Sequence, residues 1–240
     1  MRNLAFISIV TVLALTACSE SGTGGQYGSD TPETQQITPT DAQNDGVEAL
    51  DFDMLALGAK IVRPLGPEVD SSFNTDLASI SDLIGYVACT EGTETCDPKA
   101  AGDDMVYTYV YTVTPGVDPH NDDKFPKSEA VDPVAKATAF KMMLPAVGFT
   151  GEAGYSKGQA IEALGEDGAF DIRCTADGLT YEIASGTEWS TGETMTFFWK
   201  STKPPKGPMD AFILEADGKT AIGAGPSPTT RNDHAKGTCP

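Results

Sequence analysis

Residues 105–113 read Met105-Val106-Tyr107-Thr108-Tyr109-Val110-Tyr111-Thr112-Val113, and the fold class turns on this run. Met105, Tyr107, Tyr109, Tyr111 and Val113 fall on one side of an extended chain, and Val106, Thr108, Val110 and Thr112 on the other. β-branched and aromatic side chains on both sides predict a long strand in the middle of a sheet. Outward from it, other segments alternate with period two. Leu179-Thr180-Tyr181-Glu182-Ile183 is the clearest; Phe170 and Ile172 alternate with Asp171 and Arg173; Met195, Phe197 and Trp199 alternate with polar residues, and Phe198 breaks that pattern. Leu83 to Cys89, Thr138 to Leu144, Ala211 to Leu214 and Thr220 to Ile222 are further strand candidates. Asp177-Gly178 and Asp217-Gly218 are hairpin turn signals. The one helix expected is Ser156 to Leu164, with Ile161 and Leu164 on its apolar side. The chain carries 25 Gly and 16 Pro, which favours many turns and short strands over a helical bundle. Roughly seven to ten strands with frequent turns predict a mostly β protein, an antiparallel β-sandwich; a mostly closed barrel is the second arrangement.

The chain has 240 residues, of which 35 are Asp or Glu and 16 Lys or Arg, giving a net charge of -19. That balance excludes nucleic acid as a partner, because affinity for phosphates is carried by Lys and Arg. No apolar run reaches the ~20 residues of a spanning helix. Arg2 precedes Leu4 to Ala17, an uncharged stretch of apolar and small residues with the length of a secretory h-region. It ends in Leu15-Thr16-Ala17-Cys18, which resembles the lipobox of bacterial lipoprotein precursors. The resemblance implies cleavage before Cys18, a diacylglyceryl group on its thiol and acylation of the new amino terminus, so that acyl chains supply the membrane contact. Ser19 after the cysteine implies the outer membrane, with the periplasmic or surface face left open. The segments are therefore a signal peptide at 1–17, the lipidated cysteine and a disordered linker at 18–49, and a β-sandwich domain at 50–240. Between Ser19 and Glu48 only Tyr27, Ile37 and Val47 are large apolar residues, too few to offset the ordering entropy of the segment.

A second likeness rests on the strand VYTYVYTVTPG and the acidic loop after it, on Tyr181-Glu182-Ile183, on Gly192-Glu193-Thr194-Met195-Thr196-Phe197-Phe198-Trp199-Lys200-Ser201, and on Pro204-Pro205 with Gly207. In that order they are similar to exported bacterial β-sandwich domains of the choice-of-anchor type, over about residues 80–225. The likeness implies a role at the cell envelope and brings no catalytic residue. The chain lacks the hydrophobic carboxy-terminal sorting helix of that group and ends Gly237-Thr238-Cys239-Pro240.

Setting Cys18 aside leaves Cys89, Cys96, Cys174 and Cys239. An even set in an oxidising compartment reads as two disulfides, for which three pairings exist. Cys89–Cys96 would close the short loop CTEGTETC, and Cys174–Cys239 would tie the carboxy terminus to a strand; these are the favoured links. With no C-x-x-C and two histidines, zinc is not expected.

Two stretches carry chemistry worth testing. Gly154-Tyr155-Ser156-Lys157-Gly158 fits G-x-S-x-G, which in a hydrolase sits on a strand-to-helix corner. Residues 149–154 read as a poor strand, and the base would have to be His234 near the carboxy terminus, since His120 precedes the serine. Asp118-Pro119-His120-Asn121-Asp122-Asp123 is the densest oxygen-rich loop, and Asp118, Asn121, Asp122 and Asp123 are candidate calcium ligands; Asp103 and Asp104 offer further carboxylates. Exposed aromatics stack on sugars, and Tyr107, Tyr109, Tyr111, Trp189 and Trp199 are the candidates, with Trp189 the one expected at the surface. The resulting expectation is a lipid-anchored envelope protein of structural or binding type, not an enzyme and without a cofactor, whose partner is an envelope protein or a glycan. Its alternatives are a secreted serine hydrolase using Ser156 and His234, and a calcium-stabilised surface adhesin.

Overall fold

The tyrosine-rich run forms a strand hydrogen-bonded on both sides, and the sheet around it never splits into two. The computed structural model describes residues 47–62, 68–100, 104–119, 122, 125, 130–230 and 239. Among these lie β1 (Glu48–Asp51), β2 (Leu57–Lys60), β3 (Val69–Asn74), β4 (Ser79–Thr90), β5 (Tyr107–Pro115), β6 (Ala137–Met142), β7 (Phe149–Tyr155), α1 (Lys157–Leu164), β8 (Ala169–Thr175), β9 (Gly178–Ser185), β10 (Met195–Ser201), β11 (Gly207–Ala216) and β12 (Lys219–Ser227). The hydrogen-bonded order is β1-β7-β10-β5-β4-β3-β12-β11-β6-β9-β8. β2 pairs with the last residues of β4, beyond the part that β3 covers. Every ladder between these strands is antiparallel except β1 on β7.

The two ends of this path come back together. The Tyr155 hydroxyl on β7 accepts from the Phe170 N–H on β8 at 3.2 Å, and the Tyr181 hydroxyl on β9 donates to the Phe198 carbonyl on β10 at 2.6 Å. The sheet is thus rolled into a near-closed barrel, and the expected β-sandwich is wrong. Its physical error is specific: period-two alternation says that one face of each strand is buried, but it does not say whether a second sheet or the same sheet covers it. Here the same sheet does. The Phe140 ring on β6 lies 4.9–6.2 Å from the rings of Phe73, Tyr111, Tyr181, Phe197 and Phe212, which come from five other strands. A barrel of this kind is filled by side chains and is a packed core.

The outer wall is polar, and ion pairs span neighbouring strands. Lys141 pairs with Glu215 at 2.5 Å, Lys200 with Glu152 at 2.8 Å and Arg173 with Glu182 at 3.2 Å. One part of that wall is covered. The segment from Val47 to Ile61 adds β1 to β7, makes a 3-10 turn at Phe52–Met54, and then pairs as β2 with β4. Its Phe52 ring sits 5.9 Å from Phe198, which explains why Phe198 breaks the alternation of β10: it is an outward residue with its own cover. The strap needs Gly154 beneath it, where a Cβ would stand 1.9 Å from the Leu50 carbonyl oxygen. β1 begins inside the stretch expected to be linker, so the ordered domain reaches back past residue 50.

Several local expectations shift. The Asp217-Gly218 turn has both φ angles positive, 51° and 71°, as a two-residue hairpin of this kind requires. The β8–β9 turn is Ala176-Asp177, one residue earlier than expected, with Gly178 paired to Thr175. α1 buries Ala160, Ala163 and Leu164, while Ile161, expected beside Leu164 on the apolar side, is half exposed. Residues 149–154 form a strand after all.

Candidate functional site

Ser156 stands between β7 and α1, so the G-x-S-x-G match does lie on a strand-to-helix corner. The corner is relaxed, with Ser156 at φ -70° and ψ 111°. Its hydroxyl is already used: it donates to Asp53 Oδ2 at 3.0 Å and accepts from the Gln159 N–H at 3.1 Å, and the residue is buried. The same Asp53 oxygen accepts from the Gly158 N–H at 3.0 Å, and Asp51 Oδ1 accepts from the Lys157 and Asp53 N–H groups, each at 3.1 Å. Two strap carboxylates and one hydroxyl therefore satisfy the free N–H groups at the start of α1, which is the chemistry of a helix cap. His234 and His120 lie outside the described residues.

A second cluster lies on the outer wall, where the loop after β5 folds back over β3 and β4. Carboxylate oxygens of Asp82, Asp118 and Asp122 lie within 4.8 Å of one another. The Ser72 hydroxyl hydrogen-bonds to Asp118 Oδ1 at 2.9 Å and also to Asp122 Oδ2. Asp82 and Asp122 are 5% and 2% exposed. One hydroxyl has one proton and cannot donate to two carboxylates at once. Three carboxylates and a hydroxyl are hard oxygen donors, the set that suits calcium or magnesium.

Of the calcium candidates, Asp118 and Asp122 come together, while Asn121 and Asp123 lie outside the described residues. Asp104 is exposed before the start of β5, at the opposite end of that strand, and does not join them; Asp103 lies outside the described residues. Asp82 escaped the sequence reading because it sits within a strand, in Ser79-Ile80-Ser81-Asp82-Leu83-Ile84. A carboxylate inside such a run was the available signal.

The aromatic candidates for sugar stacking belong to the core. Tyr107, Tyr109, Tyr111, Trp189 and Trp199 are all buried, and the expectation of a surface Trp189 is wrong. Its ring packs 5.8 Å from Phe197 and 5.9 Å from Phe170, and its indole N–H donates to the Glu193 carbonyl at 2.7 Å. A buried indole needs one partner for its N–H, and a turn carbonyl supplies it. The Tyr109 and Tyr111 hydroxyls likewise donate to the carbonyls of Lys203 and Pro226, both at 2.8 Å. Burial holds the phenols of Tyr109, Tyr111 and Tyr181 well above the ordinary tyrosine range, so they act as donors.

The cysteines pair as Cys89–Cys96 and Cys174–Cys239, with Cα separations of 5.6 and 5.3 Å. Cys18, like all of residues 1–46, lies outside the described residues. Among the described residues no helix is long and apolar enough to cross a membrane, which says nothing of strands. A near-closed barrel is consistent with an outer-membrane location. No protein family matches the chain, and neither do curated proteins or solved structures.

Proposed function

We propose that the chain is an exported, lipid-anchored module of the bacterial envelope, of structural or binding type. The observation that supports it best is how the cysteines divide. Four of the five close on one another within the fold, which leaves Cys18, at the end of an apolar leader, as the cysteine available for acylation. Disulfides persist in oxidising compartments, which agrees with export. The outer membrane is the favoured destination, with the barrel standing beside the lipid. Its polarity argues for that placement: a barrel that spans lipid is apolar outside and polar within, and this one has aromatic rings inside and ion pairs outside. Two or more acyl chains give stable anchoring where a single chain does not. The Cys18→Ser variant is expected to move from the detergent-rich to the aqueous phase on phase separation. Unchanged partitioning would overturn the anchored reading.

A calcium-stabilised surface protein is a second reading, favoured by the convergence of Asp118 and Asp122 from the loop with Asp82 from the wall. Melting of the protein in calcium and in chelator decides it. A higher melting temperature in calcium that is lost in Asp82→Asn supports this reading, and identical curves remove it.

A further inference from the structure

We infer that the strap formed by residues 47–61 is a force-bearing clamp, placed so that tension from the amino-terminal tether loads it in shear. The inference rests on the anchored reading above, since the tether is what brings the force. Its geometry comes from the ladders. Following strand directions from β1 through β7, β10, β5 and β4 places Glu48 at one end of the barrel and the β3–β4 turn, with Leu77, at the other. β1 is parallel to β7 and is in register from Glu48 opposite Glu152 to Asp51 opposite Tyr155. A pull along this axis, with the tether at one end and a load at the other, slides β1 along β7. All of its register pairs must then lengthen together. A sideways pull opens the same pairs one after another and meets less resistance.

Further contacts reinforce the far side of the clamp. Beyond β1 as seen from the tether, Asp51 and Asp53 hold the N–H groups of Lys157 and Gly158, and Asp53 also holds the Ser156 hydroxyl. Phe52 is seated on Phe198 between them. These contacts lie in series with the ladder and must fail before tension reaches β2. Cys239 is tied to Cys174 on β8, at the same end of the barrel as Glu48. Tension between the two chain ends therefore runs across that end and peels β1 away.

Single-molecule pulling on the full 240-residue chain, with both disulfides closed and no acyl group, tests this. One handle is attached to the Cys18 thiol. The second is placed either at position 77, through Leu77→azidophenylalanine at a residue 89% exposed, or after Pro240. Detachment of the strap up to β2 frees residues 47–56, a contour of about 35 Å, and the chain lengthens by that contour less the distance the strap already spans. We expect that step at a higher force in the position-77 geometry. Asp53→Ala should lower the force there by more than it does in the carboxy-terminal geometry. Equal forces in the two geometries, or no effect of Asp53→Ala on the first, would overturn the clamp. If Asp53→Ala does not fold, the two geometries of the parent chain still decide. Because no lipid is present, failure here leaves the anchored reading standing, and failure of acylation at Cys18 leaves the mechanical result intact.

Discussion

Phe197 and Phe198 are neighbours in β10 and both are fully buried, but different parts of the chain bury them. Phe197 points into the barrel, where its ring lies 4.9–5.8 Å from those of Phe140, Phe170, Tyr181 and Trp189. Phe198 points outward and is covered by the strap that carries Phe52. The inner face is closed by the sheet itself, through many rings whose contacts are redundant. Over Phe198 the outer face is closed by one segment held through a short ladder and a few carboxylates. Inside, stability comes from apolar area; outside, the arrangement depends on named hydrogen bonds between residues about a hundred positions apart.

The largest effect is expected of Phe197→Ala. Loss of a fully buried phenylalanine from a packed core is expected to cost about 3–5 kcal/mol in denaturant unfolding. A loss below about 1 kcal/mol would show that the interior is not the packed core described.

Alkaline pH probes the same interior by titration. In the unfolded chain tyrosines ionise near about pH 10. In the fold, burial holds Tyr109, Tyr111 and Tyr181 protonated well above that value. Above pH 10 the unfolded state therefore binds fewer protons than the folded state. The tyrosine contribution to stability is complete below about pH 10 and is lost as pH rises toward the folded-state values. With about 1.4 kcal/mol per group per pH unit, three groups give a fall of up to about 4 kcal/mol per unit above pH 10. Unfolding free energies measured between pH 8 and 11 check the slope, and a flat profile across that range would contradict it.

The outer face should respond less. Ser156→Ala removes the hydroxyl that caps α1 and meets Asp53, and is expected to cost about 0.5–2 kcal/mol. A fluorophosphonate probe should leave the protein unlabelled, whereas labelling that disappears in Ser156→Ala would make the corner a nucleophile instead of a cap. Smallest of all, Lys141→Ala breaks a partly exposed ion pair with Glu215 and should change stability by about 0.2–1 kcal/mol. A larger loss would mean that the outer wall is not simply a solvated surface.

The difference between the two faces also explains what was legible in the sequence. Interior strands announce themselves locally: the tyrosine run, Leu179 to Ile183 and Phe170 with Ile172 each carry period two within a few residues. Both cysteine pairs were readable for a similar reason, since one closes a short loop and the other fastens a chain end. Whether the sheet closes on itself was not readable, because closure depends on β9 and β8 returning to β10 and β7. Nor was the strap, since Phe52, Asp51 and Asp53 have meaning only against Phe198 and the start of α1. Trp189 was expected at the surface because its neighbours are polar, yet its burial is set by Phe170 and Phe197, on the strands β8 and β10 either side of it in the chain. Asp82 on β4 joins Asp118 and Asp122 of the loop after β5 in the same way. Local alternation reveals a strand's buried side; it is silent on contacts made by distant segments across the outer wall.

Membrane anchoring through Cys18 is tested by the mass of the amino-terminal peptide of the protein isolated from bacterial membranes. The expected chain begins at Cys18, carries a diacylglyceryl thioether and an amide-linked acyl chain, and retains Cys89–Cys96 and Cys174–Cys239. A mature chain with an unmodified Cys18 thiol, or one that still begins at Met1, would contradict it.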